Sequence, residues 1–233
     1  YVVVALTIAW ALYKISLETW YLITPFLLLS AIVLLILVLI PGVGREINGA
    51  MRWIPLGVLN VQPAELAKLF SLIYVASYLH RHQDSLKKSF SVLIIPLGVL
   101  GVGGVMILME PDFGSTMIIF AVGLGMIFIA GVSLWRFGSM LLVTLLGMVF
   151  ILYSSPYRRA RLSSFLRPWE DAYNQGYQLV NSLIAIGRGK LSGVGVGESV
   201  SKLGYLPEAH TDFIFSIYAE EFGFFGVIVL LGL

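Results

Sequence analysis

The chain has 233 residues, 58% of them hydrophobic and 12% charged, with a formal net charge of +2. Soluble domains carry about 25% charged residues; a chain at half that level, with mean hydropathy +0.92, is expected to be an integral membrane protein. The absence of cysteine excludes disulfides and thiolate metal sites, and so small a net charge gives no argument for a nucleic acid or other polyanion as partner.

In chain order, apolar runs predict spans at residues 1–13 (partial), 20–40, about 64–79, 90–109, 115–131, 134–153 and 212–233 (partial). Backbone in lipid is satisfied only by helices or closed barrels, and continuous apolar runs without strict alternation read as helices. The expected fold class is therefore all-α: a polytopic transmembrane helical bundle of about seven spans or part-spans. A long loop at 154–211 is expected to contain short helices. Trp20, Trp135, Tyr153 and Tyr157 stand at segment ends, as interfacial aromatics do. The glycines of "GVLGVGGV" suit close helix contact. The first run is too short to cross about 30 Å of hydrocarbon, the last ends without an anchor, and neither end resembles a signal peptide. The expectation is a single membrane domain over 1–233, an interior piece of a longer protein.

The connections alternate between two sides. One side holds Lys14, then "HRHQDSLKK" with Arg81, Lys87 and Lys88, then Arg136; the other holds "GREINGAMRW", "EPDFG" and the loop 154–211. Counting cations places the second side in the cytoplasm, because that loop carries Arg158, Arg159, Arg161, Arg167, Arg188, Lys190 and Lys202. The loop approaches the length at which the rule fails, and the remaining loops point the other way. Cations kept outside need a reason, and an anionic ligand supplies one.

Several charges are candidates for chemistry. Glu65 and Lys68 in "QPAELAKLF" share a helix face, which suits either a buried structural pair or a site. "MEPDFGST" places Glu110 and Asp112 at a turn, where Asp112 either caps the next helix or serves a ligand. Glu220 and Glu221 fall inside the last apolar run, so at least one must meet a protein partner or a polar cavity. "GRGKLSGVGVG" is no nucleotide loop, since Ile184 stands where a phosphate-binding loop needs its first Gly. The dense Arg and Lys of the loop suit a pyrophosphate, with lipid headgroups as the alternative. His80, His82 and His210 form no ligand set. Asp171, in "RPWEDAYNQGYQL", is the candidate general base toward a sugar hydroxyl.

The runs "GAMRWIPLGVLNVQPAELAK", "EPDFGST" and "FLRPWEDAYNQGYQLVNSLIAIGRGKLSGVGVGESVSKLGYLPEAHTDFIFSIYAEEFGFFG" closely resemble the SEDS family of bacterial cell-wall glycosyltransferases (FtsW, RodA and SpoVE). "PWED" and "LPEAHTDFIF" look more like the FtsW, cell-division branch. The resemblance covers essentially the whole chain. It implies a ten-span fold, of which this chain would lack the first span and the last two. At Ala172 family members commonly have Pro, which loosens the turn and leaves the aspartate in place.

The resemblance implies polymerisation of lipid II into β-1,4 glycan strands outside the cytoplasmic membrane, by inverting displacement of undecaprenyl pyrophosphate. Asp171 matches the family's essential aspartate; Arg52 and Trp53 match its Arg-Trp pair, and Glu65 and Lys68 its QPxExxK motif. Asp112, Arg158, Arg159, Arg161, Trp169, Gln178 and His210 complete the expected substrate-binding set. No metal ligand is expected; a divalent cation, Mg or Mn, is the one candidate cofactor. The implied partners are lipid II, the growing glycan strand, membrane lipids, a class B penicillin-binding protein transpeptidase and divisome proteins, without nucleic acid. The implied location is the inner membrane at the division septum. A lipid II flippase is the alternative, because intramembrane charges also suit a transport pathway.

Overall fold

The computed structural model describes all residues except Tyr1, Asn48, Gly49, Val58, Lys87 and Lys88. The cations expected at Lys87 and Lys88 thus lie outside the described residues. The chain forms two compact units, Tyr1–Met148 and Val149–Leu233.

The first unit opens with helices α1 (Val2–Tyr13) and α2 (Leu17–Leu39). Ser16 caps α2 by accepting the Thr19 amide at 3.3 Å. A three-stranded antiparallel meander follows, β1 (Arg45–Ile47), β2 (Ala50–Leu56) and β3 (Leu59–Val61), in the order β1-β2-β3. Arg45 pairs with Trp53, and Ile54 with Val61. This small sheet was not predicted: its strands are too short, and "GREINGAMRW" too mixed, to show a clear period of two.

Helix α3 (Pro63–Arg81) starts on Pro63, whose fixed φ suits a first turn. Ala64, Ala67, Ser71, Val75 and Tyr78 form its buried stripe, at the spacing of one helix face. These mostly small residues let α3 sit against α2, α5 and α6. The short α4 (Gln83–Leu86) and a 3₁₀ turn (Ser91–Leu93) lead into α5 (Ile94–Met109), then α6 (Phe113–Ile129). Leu35, Leu100, Ile107, Ile119 and Ile127 fill the core between these helices. Of the glycines in "GVLGVGGV", Gly103 and Gly104 face neighbours, whereas Gly98 and Gly101 meet open space. Helix α7 (Leu134–Tyr153) begins in this unit and ends in the next.

The second unit continues with α8 (Pro156–Leu166), a 3₁₀ turn (Pro168–Asp171), α9 (Tyr177–Gly189), a turn at Ser201–Leu203 and α10 (Ile214–Gly232). Helices α8 and α9 and the two short turns are the short helices expected of the loop 154–211, and α10 falls on the apolar run expected at 212–233. Helix α9 lies on α10 through Val180, Ala185, Gly189 and Ala219. The last apolar run is not one continuous helix. At Gly223 the backbone turns to φ +65°, ψ −166° and interrupts α10.

Four described helices are long and apolar enough to cross a membrane: α2, the run Ser91–Met109, α7 and α10. Helices α1 and α6 are apolar but shorter, with 12 and 17 residues. Leu142, Leu146 and Phe150 of α7 are exposed, as side chains facing acyl chains are. The chain is a multi-pass membrane protein.

Candidate active site

In the first unit, the predicted residues gather where β2, the start of α3 and the α5–α6 turn meet. Arg52 projects from β2 and donates from Nε to the Glu110 carbonyl (2.8 Å) and from Nη2 to the Pro111 carbonyl (2.6 Å). One guanidinium thus ties the meander to the turn between two apolar helices. Trp53, next along the strand, is half-buried and points to the opposite face. Asp112 caps α6, its Oδ1 accepting the Ser115 amide at 3.0 Å. Its Oδ2 lies 3.5 Å from the Gln62 amide nitrogen, at the limit of a hydrogen bond. Gln62 is also the N-cap of α3, so Glu65 and Lys68 follow within that helix's first two turns. They pair at 2.8 Å, with Lys68 largely buried and Glu65 exposed.

Glu110 was noted in the sequence only as half of a turn. Its carboxyl is fully buried, with no hydrogen-bond partner for either oxygen among the described residues. Burial, and secondarily the nearby Asp112, pushes its pKa up to about 8, against the lowering effect of Arg52.

In the second unit, Asp171 stands just ahead of α9. Its Oδ1 accepts from Asn174 Nδ2 (2.8 Å) and its Oδ2 from the Gln175 amide (3.2 Å). Its carbonyl accepts the Gly176 amide at 3.0 Å, closing a tight loop. Gly176 is required there, because a Cβ would strike the carbonyl oxygens of Pro168 and Asp171. The loop fixes the carboxylate's rotamer and uses two of its roughly four lone-pair positions. Asn174 is a supporting residue absent from the expected site set, and its place three residues after Asp171 marks a local side-chain turn.

Helix α8, on which no residue is buried, leads through Arg167 into the Pro168–Asp171 turn. Arg158 is half-buried and donates to the Ile151 carbonyl at 2.9 Å, while Arg159 and Arg161 are exposed. Arg167 and Glu170 form a solvent-facing pair at 3.2 Å. Trp169 is exposed in the same turn, and Gln178 is exposed in the first turn of α9. His210 is exposed on the segment before α10. The Tyr177 hydroxyl donates to the Tyr205 carbonyl at 3.0 Å, linking α9 to that segment. Asp171, Trp169, Gln178 and the α8 arginines therefore belong to elements consecutive in the chain. Among the described residues no three His, Asp or Glu side chains gather at metal-ligand spacing, so the residues present do not form a protein cage for Mg or Mn.

A family model described as "Cell cycle protein" and covering FtsW, RodA and SpoVE matches residues 1–233. A probable peptidoglycan glycosyltransferase FtsW of Halorhodospira halophila is 47% identical over 99% of this chain and 58% of its own length. The protein of the same description in Legionella pneumophila is 45% identical over 100% of this chain and 59% of its own length. Among solved structures, a chain from a peptidoglycan synthase complex that coordinates polymerization and crosslinking superposes with TM-score 0.67 at 28% identity, covering 97% of this chain and 62% of that one. The rod shape determining protein RodA of Thermus thermophilus gives 0.62 at 27% identity, covering 97% and 57%. The chain spans under three fifths of the length of these two curated relatives.

Proposed function

The chain belongs to the FtsW/RodA/SpoVE family of cell cycle proteins, and from that premise we propose that it is part of a peptidoglycan glycosyltransferase that polymerises lipid II during septal wall synthesis. The observation that carries this reading is an aspartate fixed by a closed backbone loop, with an arginine-bearing helix leading directly into the same turn.

Asp171 takes the proton from the acceptor sugar's 4-hydroxyl as that oxygen attacks the anomeric carbon of the donor. The bond from that carbon to the diphosphate breaks in line, and an α-linked donor becomes a β-1,4 product. One displacement accounts for the inversion, so a single base suffices and no glycosyl-enzyme intermediate forms. The diphosphate leaves as an anion, and Arg158, Arg159 and Arg161 are the cations proposed to stabilise it.

In the full-length protein, Asp171→Asn should lower polymerisation by about 10²–10⁴ while the protein stays folded and inserted. Near-normal glycan synthesis by that variant would remove Asp171 from the mechanism. Purified enzyme in detergent, where no two sides exist, should convert lipid II to polymer; activity confined to sealed vesicles would favour transport instead. The reading places the loop 154–211 outside the cytoplasmic membrane, at the septum. It pairs the protein with a class B penicillin-binding protein and the divisome, supported by the solved relative's presence in a synthase complex.

A further inference from the structure

The break in α10 is filled by another piece of chain. Val194 and Gly195 donate to the Glu220 and Glu221 carbonyls at 3.0 and 3.1 Å, and Phe224 and Phe225 donate to the Lys190 and Leu191 carbonyls at 2.9 and 3.1 Å. Backbone groups freed on both sides of Gly223 are thus satisfied, as an apolar surrounding demands. The fit needs glycine at 189, 193 and 223, where a Cβ would strike facing backbone. Glu220, fully buried inside this candidate span, accepts from the Ser199 hydroxyl (2.6 Å) and the Ser201 amide (3.4 Å) through Oε2. Its Oε1 accepts no hydrogen bond among the described residues and lies 3.5 Å from Arg188 Nη1.

A buried carboxylate in a membrane span is costly unless it has a use. Here it fixes the last turn of α9, where Arg188 is half-exposed, with 49% of its side chain accessible. Among the described residues no other partner engages that guanidinium. Asp171 stands at the other end of α9. From Tyr177 to Arg188 the helix rises roughly 17 Å, from the loop that holds the base toward a span.

We propose that Arg188, oriented by Glu220, grips the diphosphate of the acceptor lipid, whose sugar hydroxyl lies at Asp171. This rests on the proposed polymerase reading. Both substrates are lipid-linked diphosphates, so two anionic groups must be held at once. The α8 arginines, on the helix that leads into the Asp171 turn, suit the diphosphate that leaves the reacting carbon. Arg188 lies a helix length away, against Glu220 of α10, as suits a diphosphate set off from the attacking hydroxyl by the acceptor's own sugars. Arg188 is a binding residue here and Glu220 a positioning residue.

The test uses full-length enzyme with lipid II in detergent, together with binding of undecaprenyl diphosphate in phosphatidylcholine nanodiscs. Arg188→Ala should raise KM about tenfold with a smaller change in kcat, and Arg188→Lys should recover part of the loss. Glu220→Gln should raise KM similarly and add little to Arg188→Ala in the double variant, where a purely structural glutamate would give additive losses. If Glu220→Gln does not fold, the exposed Arg188 variants still decide the case. An unchanged KM and unchanged diphosphate affinity for Arg188→Ala would overturn the proposal. So would equal weakening toward phosphatidylglycerol, which would make Arg188 a general headgroup anchor. Arg188-dependent diphosphate binding by a protein that polymerises nothing would uphold the grip and refute the polymerase reading.

Discussion

Between pH 4.5 and about 8, the folded chain retains a proton on Glu110 that the unfolded chain releases. The native state binds more protons over that interval, so this group's contribution to stability is full below pH 4.5 and declines as pH rises through 8. Glu110→Gln should flatten that slope. Thermal unfolding of the detergent-solubilised protein from pH 5 to 9 would check it; an unaltered slope would show that another group sets it. Asp112 acts differently, as an N-cap, and Asp112→Ala should cost about 1 kcal/mol of stability. Arg52→Lys keeps the charge but loses the fork that reaches two carbonyls. These roles explain why single residues in "EPDFG" read ambiguously. A cap and a buried acid are both carboxylates, and only the partners separate them.

Among the elements, α9 and α10 differ most from what their sequences suggest. The run 212–233 is apolar enough for a continuous span, yet it breaks at Gly223 because the segment 190–195 supplies the missing hydrogen bonds. Gly193→Ala places a methyl group against the backbone of Glu221 and Phe222 at a φ of +79°. It should destabilise the protein by about 1–3 kcal/mol, seen as a lower unfolding temperature and reduced yield of monodisperse protein. Gly125→Ala, at an open position on α6, should be tolerated. The meander shows the opposite case, a sheet hidden in a segment with little periodicity. Its value lies in projecting Arg52 from a strand rather than from a mobile loop.

For the whole molecule, the distribution of cations and the proposed chemistry predict opposite orientations. The absence of cysteine makes the choice measurable. In an otherwise unchanged full-length background freed of any further cysteines, Tyr173→Cys would place a thiol at a 91% exposed position in the long loop. It should react with an impermeant maleimide applied to intact spheroplasts. Labelling only after lysis would place the loop in the cytoplasm and end the proposed mechanism.

Composition and apolar run lengths by themselves determined a helical, multi-pass membrane protein, because lipid leaves the backbone few alternatives. Motif order determined the family, since several long runs in sequence are a specific signal. Tertiary structure alone decided that α10 is broken, that Glu220 faces Ser199 and Arg188, and that neither Glu110 oxygen has a partner among the described residues. Those outcomes depend on which distant backbone enters a gap and which side chains it brings, and linear spacing carries no record of such encounters.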